Sequence, residues 1–266
     1  MKGKLRLDQL LVARGLAESR AKAQALIRAG QVLVDGQLRD KPGSLVREDA
    51  EVSLKEKPRY VSRGGDKLAA ALEAFGIDPK GKVCLDIGAS TGGFTDCLLQ
   101  HGARKAYAVD VGRGQLHWKL RTDPRVVVRE GLNARYLSVE DIGEPVDLVT
   151  IDVSFISLRL VLPPLKGIVK RDGDVIALVK PQFEAGRGQV GRGGVVRDPR
   201  VHREVLQGIA EFVEELGCSV AGAIRSPLRG PAGNVEFLFH ILPRPGASSP
   251  LNWQELIQAA DPGPGA

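Results

Sequence analysis

The sequence predicts an α/β protein, with a small α+β unit at the N-terminus and a larger unit built on a mostly parallel sheet. Three observations predict it. From Val83 onward, short apolar runs ending in an acid or a lysine alternate with helical stretches, as in strands joined by helical crossovers. The first run, Val83-Cys84-Leu85-Asp86-Ile87, enters a glycine turn, Gly88-Ala89-Ser90-Thr91-Gly92-Gly93, and a helical stretch follows at once. Ahead of all this lies a basic segment with two helical patterns and a hairpin signal.

Composition sets the bounds. A chain of 266 residues holds one large domain, or a mid-sized one plus a small one. Its 43% hydrophobic content suits a globular protein. The net charge of +6 favours an acidic partner, nucleic acid foremost. Cys84, Cys97 and Cys218 are isolated in apolar stretches and form no C-x-x-C. They are expected to be reduced core thiols of a cytoplasmic, metal-free protein, which we expect to be a monomer. The cationic N-terminus lacks the apolar core of a signal peptide. No run reaches the roughly 18 apolar residues of a membrane span; Asp147 and Asp152 interrupt the best candidate.

In the basic segment, Leu5, Leu7, Leu10 and Leu11 recur at helical spacing and Gly15 ends that helix. Ser19 is placed to cap a second helix, with Ala23, Ala25, Leu26 and Ile27 inward and Gly30 closing it. Val32-Leu33-Val34 and the Asp35-Gly36 turn predict a hairpin, and Ala50 to Leu54 returns as a strand. The phrase R-x-G-x-V-x-V-D-G, from Arg28 to Gly36, resembles that of the S4 RNA-binding domain. Lys4, Arg6, Arg14, Arg20, Arg28 and Lys41 would then contact phosphates and give salt-sensitive binding; a solvated helix face is the bland alternative. With few aromatics here, recognition of RNA shape and backbone is expected rather than base stacking. Residues 1–57 are read as this domain, 58–63 as a linker and 64–266 as the second domain. Lys55 to Tyr60 looks short and polar, and Pro58 blocks a continuing strand or helix.

The second domain opens with a helix through Lys67 to Leu72, then the strand into the glycine turn. Lys105 to Val109 reads as a second buried strand, closed by Asp110 about twenty residues past the glycines. An acid there accepts hydrogen bonds from the ribose hydroxyls of an adenosyl ligand. Further strands are read at Val126 to Val128, at Val146 to Asp152, at Val175 to Lys180, and at Val235 to Phe239, which carries Glu236. Ligands of such sheets sit beyond the carboxyl ends of the strands. The turn is not G-x-G-x-x-G; D-I-G-A-S-T-G-G-F instead resembles motif I of the S-adenosylmethionine (SAM) methyltransferases. The expected cofactor contacts are Asp86, Gly88, Ser90, Gly92, Gly93, Phe94, Asp110, Val111, Asn133 and Asp152, although Asn133 suits a plain turn equally well. Phe183 to Gly194, carrying Arg187 and Arg192, reads as a substrate lid or a simple connection. Leu251 to Ala260 is expected to form a terminal helix and Asp261 to Ala266 a frayed end.

The phrases S-R-G-G-D-K-L, D-V-S-F-I-S-L, L-V-K-P-Q-F-E and G-N-V-E-F are similar to those of the TlyA family. Its members carry an S4 domain ahead of an RrmJ/FtsJ-like, Rossmann-like methyltransferase domain and often bear the label hemolysin. Lys67, Asp152, Lys180 and Glu236 match, in order and context, the Lys-Asp-Lys-Glu set of the RrmJ/FtsJ-like RNA 2′-O-methyltransferases. Tyr60 departs from the pattern, which has tryptophan there. The resemblance implies methyl transfer from SAM to the ribose 2′-hydroxyl of a cytidine in ribosomal RNA, 23S and in some members also 16S. Arg63 and Arg135 join the RNA-binding candidates on this reading.

The chemistry asks for such residues. A ribose hydroxyl is a weak nucleophile that needs a base or strong acceptor nearby. A lysine qualifies as base only if its environment favours the neutral amine. Lys67 could supply a second cation beside Lys180, with Asp152 and Glu236 orienting the pair. Two other classes compete: a membrane-active hemolysin, and a non-catalytic factor binding rRNA during ribosome assembly. No basic amphipathic helix with a bulky aromatic face supports the first, and the complete Lys-Asp-Lys-Glu set speaks against the second.

Overall fold

The structure, a computed structural model, describes residues 3–55, 58–246 and 250–258. The chain forms two compact units, Met1–Pro58 and Arg59–Ala266.

In the first unit, β1 (Lys4–Arg6) leads straight into the helix Leu7–Ala13, and a second helix spans Arg20–Arg28. Strands β2 (Val32–Val34), β3 (Gln37–Arg39), β4 (Leu45–Arg47) and β5 (Val52–Leu54) follow. A three-stranded antiparallel sheet has the order β3-β2-β5, and β1 pairs with β4. Leu5 therefore lies in a strand opposite Val46, not in the helix its spacing suggested. Pairing with a strand about forty residues away overrides a local periodicity of four leucines. Ser19 caps the second helix, its Oγ accepting from the Lys22 N–H at 3.2 Å. That helix turns Ala23 and Ile27 inward and leaves Ala25 exposed, contrary to expectation, because only the i, i+4 pair shares the buried stripe. The β2–β3 turn places Asp35 and Gly36 both at positive φ, as a tight two-residue hairpin requires.

One buried charge organises this unit. Asp8 is fully buried and accepts two hydrogen bonds from Arg6 at 3.0 Å each, one from Arg20 Nε at 3.0 Å and one from Gln24 Nε2 at 2.9 Å. The Arg6 guanidinium, aided by Gln24 and Arg20, holds this carboxyl far below the usual range against the opposing effect of burial. Arg6 and Arg20 thus have structural work besides any contact with RNA.

The second unit contains a seven-stranded sheet. Its strands are β6 (Val83–Ile87), β7 (Lys105–Asp110), β8 (Val126–Glu130), β9 (Val146–Ile151), β10 (Val169–Val179), β11 (Ser219–Arg225) and β12 (Phe237–Leu242). The order is β11-β12-β10-β9-β6-β7-β8. β12 runs antiparallel to both neighbours, and the remaining pairs are parallel. The order reverses between β6 and β9, which creates the switch point where ligands of open α/β sheets bind.

Several elements depart from the reading of the sequence. β10 begins six residues before Val175, with a register shift between Val169 and Asp174. β12 begins at Phe237, so Glu236 stands just ahead of it. The helix Pro199–Glu215, capped by Asp198 at 2.9 Å from the Arg200 N–H, and the strand after it were not anticipated. Cys84 and Cys97 are buried as expected, and burial pushes both thiols up to about 12; Cys218 is only half-buried. Tyr60, assigned to a polar linker, is instead core, packed with Leu68, Phe94 and Leu98. Its ring covers Gly65 so closely that a Cβ there would stand 2.2 Å from it. A helix spans Trp253–Gln258, and residues 259–266 lie outside the described residues.

Removing Arg6 strips a buried carboxylate of two charge-assisted hydrogen bonds. Arg6→Ala should lower the stability of the first unit, whereas Arg28→Ala, at an exposed position with no partner of this kind among the described residues, should leave it nearly unchanged. Urea denaturation of the full chain, with hydrogen exchange at the Leu10 and Ile27 amides as the reporter, checks both.

Candidate functional site

The site begins with what glycine permits. Gly88, directly after β6, has φ +83°, and a Cβ on it would stand 2.4 Å from the backbone carbonyl oxygen of Asp152. Only glycine lets the ends of β6 and β9 approach this closely. Ser90, two residues on, is itself at φ 48°. Asp110, at the end of β7, holds the turn: its Oδ2 accepts from the Ser90 N–H at 2.8 Å and its Oδ1 from the Gly112 N–H at 2.7 Å. Gly93 then starts the helix Gly93–Gln100.

Asp86 lies beneath this turn. It is fully buried, accepting from Thr95 Oγ1 at 2.6 Å and from Thr150 Oγ1 at 3.2 Å. Burial, reinforced by Asp152 and opposed by the threonine hydroxyls, raises its carboxyl to about 7.

A cleft of about 290 Å³ opens at the switch point. Lys67, on the helix Gly64–Phe75, Asp152, just after β9, Lys180, just after β10, and Glu236, just before β12, all line it. Gly88, Ser90, Gly93 and Phe94 form its other wall, with Arg63 beside them. Asp86, Gly92, Asp110, Val111 and Asn133, also expected at the cofactor, are not in that wall. Asn133 Oδ1 instead accepts from the Arg135 N–H at 3.0 Å and caps a short turn.

The four charged residues form two ion pairs. Lys67 Nζ lies 2.6 Å from Glu236 Oε2, and Lys180 Nζ lies 2.6 Å from Asp152 Oδ1. Lys180 also donates to Ser154 Oγ at 3.1 Å, and Gln182 Nε2 donates to Glu236 Oε1 at 3.4 Å. Both lysines and Glu236 are buried. Each lysine thus holds its own carboxylate. Sequence reasoning passed over Ser154 and Gln182, although each sits two residues after a member of the set.

Of the RNA candidates, Lys4, Arg14, Arg28 and Lys41 are exposed, and the Arg14 guanidinium donates to the Glu48 carbonyl. Arg135 lies over the exposed Tyr136 ring at 5.5 Å.

A largely parallel sheet, a glycine turn at its switch point and a charged cleft beside that turn define a methyltransferase-type α/β domain. Residues 60–241 match the FtsJ-like methyltransferase family and residues 5–52 match the S4 domain. The chain therefore belongs to the FtsJ-like methyltransferases, with an S4 domain ahead of the methyltransferase domain. It is 52% identical over 239 residues to the 16S/23S rRNA (cytidine-2′-O)-methyltransferase TlyA of Mycobacterium tuberculosis, covering 89% of each chain. It is 53% identical to YqxC of Bacillus subtilis, provisionally named an rRNA methyltransferase, over 90% of this chain and 85% of that one. A solved structure from Streptococcus thermophilus, given the provisional name hemolysin, superposes with a TM-score of 0.74 at 46% identity, covering 97% of this chain and 95% of that one. Among the described residues, no helix is long and apolar enough to cross a membrane, and no group of three or more His, Cys, Asp or Glu is placed to hold a metal ion.

The raised Asp86 carboxyl has a pH signature. Its ordinary value is 3.8, so between about pH 4 and pH 7 the folded protein keeps a proton that the unfolded chain has lost. The associated stability is complete below about pH 4 and lost as pH rises through about 7. Asp86→Asn is neutral throughout and should lose this descending limb. Compared at pH 5 and pH 8, the wild-type Tm should fall relative to the variant's; parallel Tm curves would show that Asp86 is ionised in the folded state.

Proposed function

We propose that the protein transfers a methyl group from SAM to the ribose 2′-hydroxyl of a cytidine in ribosomal RNA, acting on a ribosomal subunit. The observation that carries this reading is the convergence of Lys67, Asp152, Lys180 and Glu236 on one cleft beside the glycine turn. The activity named for the TlyA relative agrees with it.

The chain's own residues fit the cofactor. Gly88 and Gly93 of the turn line the cleft, where a Cβ on either would collide with Asp152 or Ser62 of the protein itself, and Asp110 stands at the end of β7, the position from which an acid reaches a ribose. When bound, SAM supplies a methyl group activated on a sulfonium. The protein's tasks are then to align the hydroxyl and to manage one proton.

Lys180 is the residue we assign to the proton: it yields one proton across its ion pair to Asp152 Oδ1, 2.6 Å away, and the freed lone pair takes the proton of the hydroxyl. Asp152 and Ser154 occupy two of the three positions about its Nζ, which leaves one for the substrate hydroxyl. Glu236, shared between Lys67 and Gln182, also lines the cleft. Arg63, which lines the cleft, and Arg135, in the short helical turn Ala134–Tyr136 after β8, would meet phosphates of the RNA.

Lys180→Ala should lower methyl transfer at least about 100-fold while leaving SAM and RNA binding nearly intact. Lys180→Arg should not rescue it, because arginine does not deprotonate. Radioactive SAM with purified ribosomal subunits provides the assay, and substantial transfer by the arginine variant would sink the base assignment in favour of a cation that only holds the oxygen.

Affinity for RNA should come in part from exposed cations of the first unit. Because Arg6 and Arg20 support Asp8, the clean variant replaces Lys4, Arg28 and Lys41. Each lost phosphate contact should reduce the slope of log affinity against log salt by about one, with SAM affinity unchanged. A triple variant retaining the wild-type slope would mark these residues as solvated surface.

A further inference from the structure

We propose that Glu184 is a positioning residue for this reaction, the far end of a two-point staple that fixes the loop carrying Asp152 and Ser154 against the segment carrying Lys180. The inference rests on the methyl-transfer reading above. After β9 the chain runs Asp152-Val153-Ser154-Phe155-Ile156-Ser157 into the short helix Leu158–Val161; after β10 it runs Lys180-Pro181-Gln182-Phe183-Glu184. The two stretches are tied at both ends. At the cleft, Lys180 Nζ meets Asp152 Oδ1 at 2.6 Å and Ser154 Oγ at 3.1 Å. At the other end, the two oxygens of Glu184 accept from Ser157 Oγ at 2.5 Å and from the Leu158 N–H at 2.7 Å. Between these ties the rings of Phe155 and Phe183 lie 5.0 Å apart.

The loop needs the second tie. Phe155 is 91% exposed and stands at φ 63°, a left-handed conformation that non-glycine residues hold only when their surroundings enforce it. Its exposed ring contributes little burial to hold it there. The restraint comes from the flanks: Val153, Ile156 and Leu158 pack in the core, and beyond Phe155 Glu184 supplies the polar tie. Without that carboxylate Ser157 Oγ and the Leu158 N–H lose their partner, and slack there would be taken up at Asp152 and Ser154. These are the groups that aim Lys180 Nζ. Glu184 itself does not line the cleft, so its effect on the reaction passes through them.

The test uses the full chain with Glu184→Ala, Glu184→Gln and Ser157→Ala. Glu184→Ala should lower kcat at least about tenfold, a misplacement effect, with SAM Kd, KM for the ribosomal subunit and Tm little changed. Glu184→Gln should retain most of kcat, since its amide still accepts from the Leu158 N–H and can donate to Ser157 Oγ. Ser157→Ala, which keeps the Leu158 bond, should lie between the two. Hydrogen exchange at the Ser154 to Leu158 amides should accelerate in Glu184→Ala while that of β6 does not. Unchanged kcat in Glu184→Ala, or a glutamine variant as impaired as the alanine one, overturns the proposal. So does a loss of SAM binding or Tm that accounts for the whole effect. A wild-type protein that methylates no ribosomal RNA refutes the underlying activity instead; exchange rates unaltered in Glu184→Ala then refute the staple by themselves.

Discussion

The contact on which the site depends is between two pieces of backbone. Gly88 and the carbonyl of Asp152 approach so closely that a methyl group would not fit between them. This brings the ends of β6 and β9 together where the sheet order reverses. The glycine turn and Asp152 thus both line one cleft, held against each other by this contact. Asp110 extends the same constraint sideways, tying the turn to β7 through the Ser90 and Gly112 amides.

Lys67, Asp152, Lys180 and Glu236 line this cleft, three of them buried. Removing charges from water costs several kcal/mol per ion, and pairing typically does no more than offset it. Two buried ion pairs are therefore a poor way to stabilise a domain and a good way to hold charges in fixed positions. The arrangement keeps Lys67 with Glu236 and Lys180 with Asp152, a separation of partners that leaves both lysines oriented by bonds of 2.6 Å. Ser154 and Gln182 add neutral hydrogen bonds that limit the remaining freedom.

The first unit solves a smaller version of the same problem. Asp8 is buried, and its charge is met by Arg6 from β1 and by Arg20 and Gln24 from the second helix. Both arginines remain partly exposed, at 40% and 53%. One surface thus carries both the unit's internal charge balance and exposed cations; a change at Arg6 or Arg20 disturbs the buried Asp8, whereas one at Lys4, Arg28 or Lys41 alters surface charge alone.

Much of the fold was legible in the sequence because strands in a covered parallel sheet are continuous apolar runs, and because Asp35-Gly36 and Gly88 to Gly93 supply conformations other residues avoid. The helix Pro199–Glu215 was equally legible, with Asp198 and Pro199 at its start and Val201, Val205, Ile209 and Val213 along one face. The membership of the charged cleft came from motif context, which local propensity does not encode. What sequence alone could not determine was partnership. Lys67 and Glu236 are 169 positions apart, and whether Lys180 would face Lys67 or Asp152 depended on distances set by β9 and β10 packing side by side. The depth of Asp86 under the turn, the burial of Tyr60 and the bond from Glu184 to Ser157 were likewise decided by tertiary packing, since burial and pairing are properties of the neighbours a residue acquires and not of the residue itself.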